Sequence, residues 1–198
     1  MQGGRTMIDR RIFIAGAAAL LAAPAAARSR FRRLFNRRCL DGWTRVGDAN
    51  WRVERGVLVA DRGAISFLVS QESFRDFELR TQFWVSPDAN SGIFIRCADR
   101  AGISPATAYE VNIFDRRPDP TYATGAIVDL AAVAPPVPQA GGRWNAMTIR
   151  AQGDRFDVVL NGRNTVANAR DGARREGPVA LQYGAGTVRF RRVEIRSL

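Results

Sequence analysis

The stretch Phe77-Glu78-Leu79-Arg80-Thr81-Gln82-Phe83-Trp84-Val85 decides the fold. Successive side chains of an extended chain point to opposite faces, so Phe77, Leu79, Thr81, Phe83 and Val85 share one side. Glu78, Arg80, Gln82 and Trp84 share the other. This is a strand with one apolar face, and the same period of two recurs on both sides of it. Ile93, Ile95 and Cys97 align opposite Phe94 and Arg96. Tyr109, Val111 and Ile113 align opposite Glu110, Asn112 and Phe114. Val179, Leu181 and Tyr183 flank Ala180 and Gln182. Phe156, Val158 and Leu160 run into Asn161-Gly162, a hairpin signal, because a type I′ turn needs positive φ at both central residues. Phe190 followed by Val193 and Ile195 slips the alternation by one residue, which predicts a bulge at Arg191-Arg192.

No long helical pattern and no repeat interrupts this reading. About ten to twelve short strands suit two packed antiparallel sheets, an all-β sandwich of jelly-roll type. The segment 116–124, with two Pro, and the segment 132–143, with three Pro and two Gly, read as long surface loops, where sites tend to lie.

Composition removes whole classes of chemistry. Among 198 residues there is no histidine and no lysine; all 30 basic residues are arginine, against 19 Asp and Glu, for a net charge of +11. A Ser-His-Asp triad, a Cys-His pair, a histidine metal site and a lysine Schiff base are therefore excluded. With two cysteines, a four-cysteine zinc site within the chain is excluded too. Acid–base work falls to Asp, Glu, Tyr, Cys or a metal-bound water. The basicity fits an anionic partner or, equally, an Arg-for-Lys compositional bias. No zinc-finger, RNA-binding-sheet or basic-zipper motif points to nucleic acid.

Arg10-Arg11-Ile12-Phe13-Ile14 opens an apolar, Ala-rich run that ends in Pro24 and Ala25-Ala26-Ala27. This reads as a cleavable signal peptide over residues 1–27, of twin-arginine type, and not as a membrane anchor, which needs about 20 apolar residues. The expected mature chain, 28–198, is one domain, exported to the periplasm or beyond. In that oxidising compartment Cys39 and Cys97 either form a disulfide or stay as small buried thiols. Arg28, Arg30, Arg32, Arg33, Arg37 and Arg38 read as a solvated tail or as a tether to anionic lipid or cell-wall polymer.

If the strands share one sheet, their polar sides form a wall of Arg96, Glu110, Asn112, Gln182, Glu78, Arg80 and Gln82 with Phe94 and Trp84. Polar groups bond sugar hydroxyls and aromatic faces cover C–H patches, so a carbohydrate is the expected ligand. A plain solvated sheet face is the competing reading.

Other stretches carry a resemblance. They include Leu40-Asp41-Gly42-Trp43, Trp51-Arg52-Val53-Glu54, Asp76-Phe77-Glu78-Leu79 and Asn90-Ser91-Gly92-Ile93-Phe94-Ile95-Arg96. Tyr109-Glu110-Val111, Thr124-Gly125-Ala126-Ile127, Leu160-Asn161-Gly162 and Gly177-Pro178-Val179-Ala180-Leu181-Gln182 follow in order. From about Leu34 to Leu198 the chain resembles the 3-keto-disaccharide hydrolase domain family, exported concanavalin-like β-sandwiches. The resemblance implies cleavage of glycosides already oxidised at C3. A C3 ketone acidifies the C2 proton; a base removes it, the aglycone leaves C1 by elimination, and water adds to complete net hydrolysis. This chemistry needs a base near C2 and positive charge or donors at the enolate oxygen. On this basis Glu110 is the expected base and Arg96 the expected enolate stabiliser, with a surface ion pair between them as the alternative. Asn90, Asn112 and Gln182 are expected to hold hydroxyls, and Phe94, Asp115, Tyr183 and Trp84 to line the substrate.

One departure stands out. Family members usually carry a histidine after the Leu-Gln pair, where this chain has Tyr183. The alternative function is therefore a non-catalytic, lectin-like glycan-binding sandwich. No cofactor and no metal site is expected, although Asp115 and Asp129 are oxygen ligands that a cation such as calcium would accept. The expected partner is a carbohydrate substrate or glycan, not nucleic acid, and no membrane anchor should remain after cleavage.

Overall fold

A computed structural model describes residues 1, 3 and 30–198. The export signal, read from residues 10–27, lies outside the described residues, as does Arg28. Among the described residues no helix is long and apolar enough to cross a membrane.

Thirteen strands follow one another among the described residues: β1 (Arg32–Arg33), β2 (Trp43–Gly47), β3 (Arg52–Glu54), β4 (Val57–Ala60), β5 (Ser66–Ser70), β6 (Phe77–Val85) and β7 (Ser91–Ile95) come first. They are succeeded by β8 (Tyr109–Ile113), β9 (Trp144–Gln152), β10 (Arg155–Leu160), β11 (Arg163–Arg170), β12 (Ala180–Tyr183) and β13 (Val188–Ser197). They form two antiparallel sheets. The larger has eight strands in the order β11-β10-β9-β6-β13-β4-β3, with β1 added beside β13; the smaller has five, β2-β5-β12-β7-β8. This is the expected jelly-roll sandwich. Its core is the set of inward residues the alternation singled out: Phe77, Leu79 and Phe83 from β6, Ile93 and Ile95 from β7, Val111 and Ile113 from β8, Phe156, Val158 and Leu160 from β10.

Two local readings hold in detail. Asn161 and Gly162 both have positive φ, 50° and 83°, in a two-residue turn that pairs Leu160 with Arg163. In β13 the register against β6 slips between Phe190 and Arg192, so Arg191 is the extra, bulged residue.

The single polar wall is corrected. β6 belongs to the larger sheet, whereas β7, β8 and β12 belong to the smaller one. Glu78, Arg80, Gln82 and Trp84 therefore face outward on the opposite side of the sandwich from Glu110 and Gln182. Alternation orders the faces of each strand but carries no information about which strands pair. The arginine-rich segment after residue 30 is also not a free tail. β1 pairs with β13, and Arg32 is bidentate to Glu72 at 2.8 and 2.5 Å.

Candidate functional site

The outward side of the smaller sheet divides into two halves. In one half Phe94 meets Phe67 edge-on, with ring centroids 5.3 Å apart at 90°. Cys97, Ile103, Ala108 and Ala180 complete this apolar cluster, and Phe94 is buried beneath it. Phe94 is thus packing, not an open platform for a sugar.

The other half is polar. Gly92 pairs with Asn112, and Phe94 with Glu110, across β7 and β8. Gln182 comes from the neighbouring β12. Gly92 leaves the space that matters here. A Cβ built on it would lie 3.0 Å from Glu110 Oε1 and 3.2 Å from Gln182 Oε1, so any other residue would fill the gap between the two side chains. Asn90 sits one step along the same row, beside Gly184. Asn112 is fully buried and donates to Tyr122 O at 2.6 Å, which ties β8 to the 116–124 loop.

Electrostatically this half is unusual. Glu110 is 6% exposed, and its carboxylate carries no hydrogen bond among the described residues. Burial pushes its carboxyl up to about 7; Arg117 pulls it down and Asp129 pushes it further up. Three buried polar atoms beside it are also unpartnered: Gln182 Oε1, Asn112 Oδ1 and Arg117 Nε. Buried polar groups are paired in the great majority of native cases. Unpartnered polar atoms gathered around a carboxyl near neutral pKa make this half the candidate site.

Glu110, Gln182, Asn112 and Asn90 are therefore brought together. Four other expected residues are not. Arg96 follows the end of β7 with φ of 51°, and this left-handed residue turns its side chain away from Glu110. Its guanidinium is fully buried and donates to Arg75 O at 2.9 and 2.6 Å, to Gly153 O at 2.7 Å and to Arg174 O at 3.1 Å. Asp76 Oδ1 lies 3.2 Å away. Arg96 is a clamp between loops, and neither the enolate role nor the ion pair with Glu110 survives its placement. Asp115 accepts from Thr124 Oγ1 at 2.6 Å and from the amides of Ala140 and Gly141, both at 2.8 Å. Its oxygens are committed to closing loops, which serves neither a sugar nor a cation. Among the described residues no group of three metal-ligating side chains occurs. Tyr183 points into the core. Trp84 lies on the larger sheet under Arg189, whose guanidinium carbon is 4.5 Å from the ring centroid.

The cation that replaces Arg96 in the neighbourhood of Glu110 is Arg117, which the alternation could not supply because it sits on a loop. The only sequence signal was that segment 116–124 is long and proline-bearing. The two cysteines are free. Cys97 is buried in the apolar half, which pushes its thiol up to about 12, and Cys39 accepts from Asn36 Nδ2 at 2.9 Å.

Comparison with other proteins agrees with the fold. Residues 30–196 match the model of the 3-keto-alpha-glucoside-1,2-lyase-like domain. Among solved structures, a proposed glycosyl hydrolase of Parabacteroides distasonis superposes with a TM-score of 0.74 at 18% identity, over 85% of this chain and 94% of that one. The carbohydrate binding module CBM66 of Bacillus subtilis gives 0.64 at 21% identity, over 79% and 96%. A Bacillus licheniformis beta-glucanase gives 0.59 at 11% identity, over 87% and 99%. These likenesses establish the shared sandwich. No curated protein sequence gives a significant match.

Proposed function

The chain belongs to the 3-keto-alpha-glucoside-1,2-lyase-like domain family, a carbohydrate-related β-sandwich, and from that premise we propose that it cleaves 3-keto-glycosides with Glu110 as the base. The observation that carries the proposal is the Glu110 carboxyl, desolvated to a pKa of about 7 and open to the gap over Gly92. A general base works best when its pKa lies near the working pH, and burial brings a carboxylate there.

The chemistry follows from the substrate. The C3 ketone acidifies the C2 proton. Glu110 accepts that proton, and the electron pair delocalises onto the ketone oxygen as an enolate. The pair then returns to expel the aglycone oxygen from C1, which takes the proton now held by Glu110 and leaves as an alcohol, restoring the carboxylate. Water adds across the resulting enone, with its oxygen bonding to C1, and hydrolysis is complete. In this reading Arg117, with a buried and unpartnered Nε–H, faces the enolate oxygen in place of Arg96. Gln182, Asn112 and Asn90 hold ring hydroxyls. The missing histidine does not weaken the reading. Position 183, where the family usually has it, faces the core in this chain, so Tyr183 subtracts nothing from the Glu110 side. Export by the twin-arginine route, as read from residues 10–27, is part of the proposal, and cell fractionation tests it.

The test of activity is release of sugar from a 3-keto-disaccharide. The native chain should turn it over, and Glu110→Gln should lose about 10²- to 10⁴-fold, the usual contribution of a general base. Full activity in that variant would remove Glu110 from the role. Binding without turnover by the native chain would overturn catalysis in favour of a lectin-like sandwich.

A further inference from the structure

The concavities on the larger sheet lie on the opposite side of the sandwich from Glu110, and the strand pattern builds one of them. β13 pairs with β4 only through Phe190 and with β1 only from Glu194 onward. Val193 O accepts from the amides of Leu34 and Phe35, so between these partners the flank is open at Arg191 and Arg192. The bulge falls in this gap. Because Arg191 is the extra residue, Arg191 and Arg192, neighbours in sequence, both project outward instead of alternating. The result is a bay of about 350 Å³ lined by Arg33, Arg37, Gln82, Arg191, Arg192 and Glu194. It continues past Arg33 and Arg37 into a second hollow reached by Arg38 and Asn36.

Four arginines from two separate segments thus border the bay, against a single carboxylate, Glu194, and a fifth, Arg38, lines the adjoining hollow. Several of them are held in place. Arg191 donates from Nε to Gln82 Oε1 at 2.9 Å and stacks 4.1 Å over Trp144. Arg192 donates from Nε to Glu194 at 2.9 Å, and Arg37 from Nε to Gly56 O at 3.2 Å. Each of these bonds uses Nε and leaves the two terminal nitrogens for a ligand. Arg37 itself has φ of 67°, a left-handed backbone that a non-glycine residue adopts at a cost. Arg33 is only loosely engaged, 4.0 Å from Glu194 and largely exposed. Arg38 has no side-chain partner among the described residues.

We propose that this bay binds an acidic polysaccharide, its carboxylates seated on the terminal guanidinium nitrogens of Arg37, Arg38, Arg191 and Arg192. Guanidinium and carboxylate match in a planar, bidentate way, and several fixed forks favour a polymer that repeats the carboxylate. Single-stranded nucleic acid finds little here: one face of Trp84 and one of Trp144 are taken by Arg189 and Arg191, which leaves few platforms for unstacked bases. The proposal is independent of the reaction at Glu110. It makes the larger sheet a holding surface for anionic glycan.

Calorimetric titration of the full chain tests it, with oligogalacturonate as the probe and neutral dextran, a short DNA duplex and phosphatidylglycerol vesicles beside it. Oligogalacturonate should bind at low salt and weaken steeply as salt rises. The double variant Arg37→Gln, Arg192→Gln should weaken it at least tenfold. Glu194→Gln, which removes the only competing carboxylate, should tighten it several-fold, a gain that misfolding cannot imitate. Glu110→Gln should leave it unchanged. No binding of oligogalacturonate, equal binding by the double variant, no gain in Glu194→Gln, or tighter binding of DNA or vesicles would overturn the proposal.

Discussion

Glu78 and Glu110 are equally buried, each 6% exposed, and each lies on the outward side of a sheet. Their protonation runs in opposite directions. Desolvation pushes Glu78 up, but it accepts from Arg196 at 2.5 Å and from Arg80 at 3.0 and 2.7 Å, and these guanidinium groups hold it below the usual carboxylate range. Glu110 is desolvated more deeply, its carboxylate has no side-chain partner among the described residues, and it is pushed up to about 7. On the larger sheet Arg80 and Arg196 both donate to Glu78, along and across strands, although Arg196 Nε itself is unpartnered. On the smaller sheet loops cover the polar side chains, and they are left unpaired around the gap at Gly92. Burial alone does not make a site; burial with pairing withheld does.

Three perturbations bear on that contrast. The largest effect belongs to the residue that looked catalytic and is structural. Arg96→Met strands the carbonyls of Arg75, Gly153 and Arg174, which now accept from a buried guanidinium. It should cost about 3–5 kcal/mol in urea denaturation. A cost below about 1 kcal/mol would mean that the clamp contributes little.

The next effect is a stability that depends on pH. The Glu110 carboxyl is raised in the fold from its ordinary 4.5 to about 7. Between those values the folded chain keeps a proton that the unfolded chain has lost, so this group's contribution to stability falls as pH rises through the window. Glu110→Gln escapes that penalty. It should be more stable than the native chain by about 1–3 kcal/mol at pH 8 and no more stable at pH 4. Thermal melts at the two pH values decide it, and an equal difference at both would show that Glu110 is not desolvated as described.

The smallest effect lies on the paired side. Arg80 is half exposed, and Glu78 keeps Arg196 when Arg80 is lost. Arg80→Gln should change stability by no more than about 1 kcal/mol, as for other exposed ion pairs. A larger loss would make the larger sheet as dependent on single charges as the smaller one.

Much of this was legible in the chain. The apolar faces of β6, β7, β8, β10 and β12, the Asn161-Gly162 turn and the bulge at Arg191 are local events, each decided by a handful of neighbouring residues. Glu110 and Asn112 share a face because residues two apart on one strand do, whereas Gln182 joins them only because β12 and β8 both pair with β7. The failures have equally definite causes. Arg96 continues the alternation on paper, but one left-handed dihedral reverses it, and a single φ leaves no periodic trace. Tyr183 obeys the alternation and lies on the core side for that reason. Asp115 has the composition of a ligand and the bonding of a loop clasp. Arg117 was missed because loops carry no period.

By itself the sequence determined the all-β class, the inward and outward side of most strand residues and the absence of histidine and lysine chemistry. Only the tertiary structure decided that β6 and β8 belong to different sheets, which separates Trp84 from Glu110. It also decided that loops desolvate Glu110, and that the gap between β4 and β1 gathers arginines 150 positions apart or so in the chain, such as Arg37 and Arg191, into one bay. Side-chain alternation is a property of one extended segment, whereas strand pairing, burial and electrostatic neighbourhood arise between segments, and no local pattern encodes them.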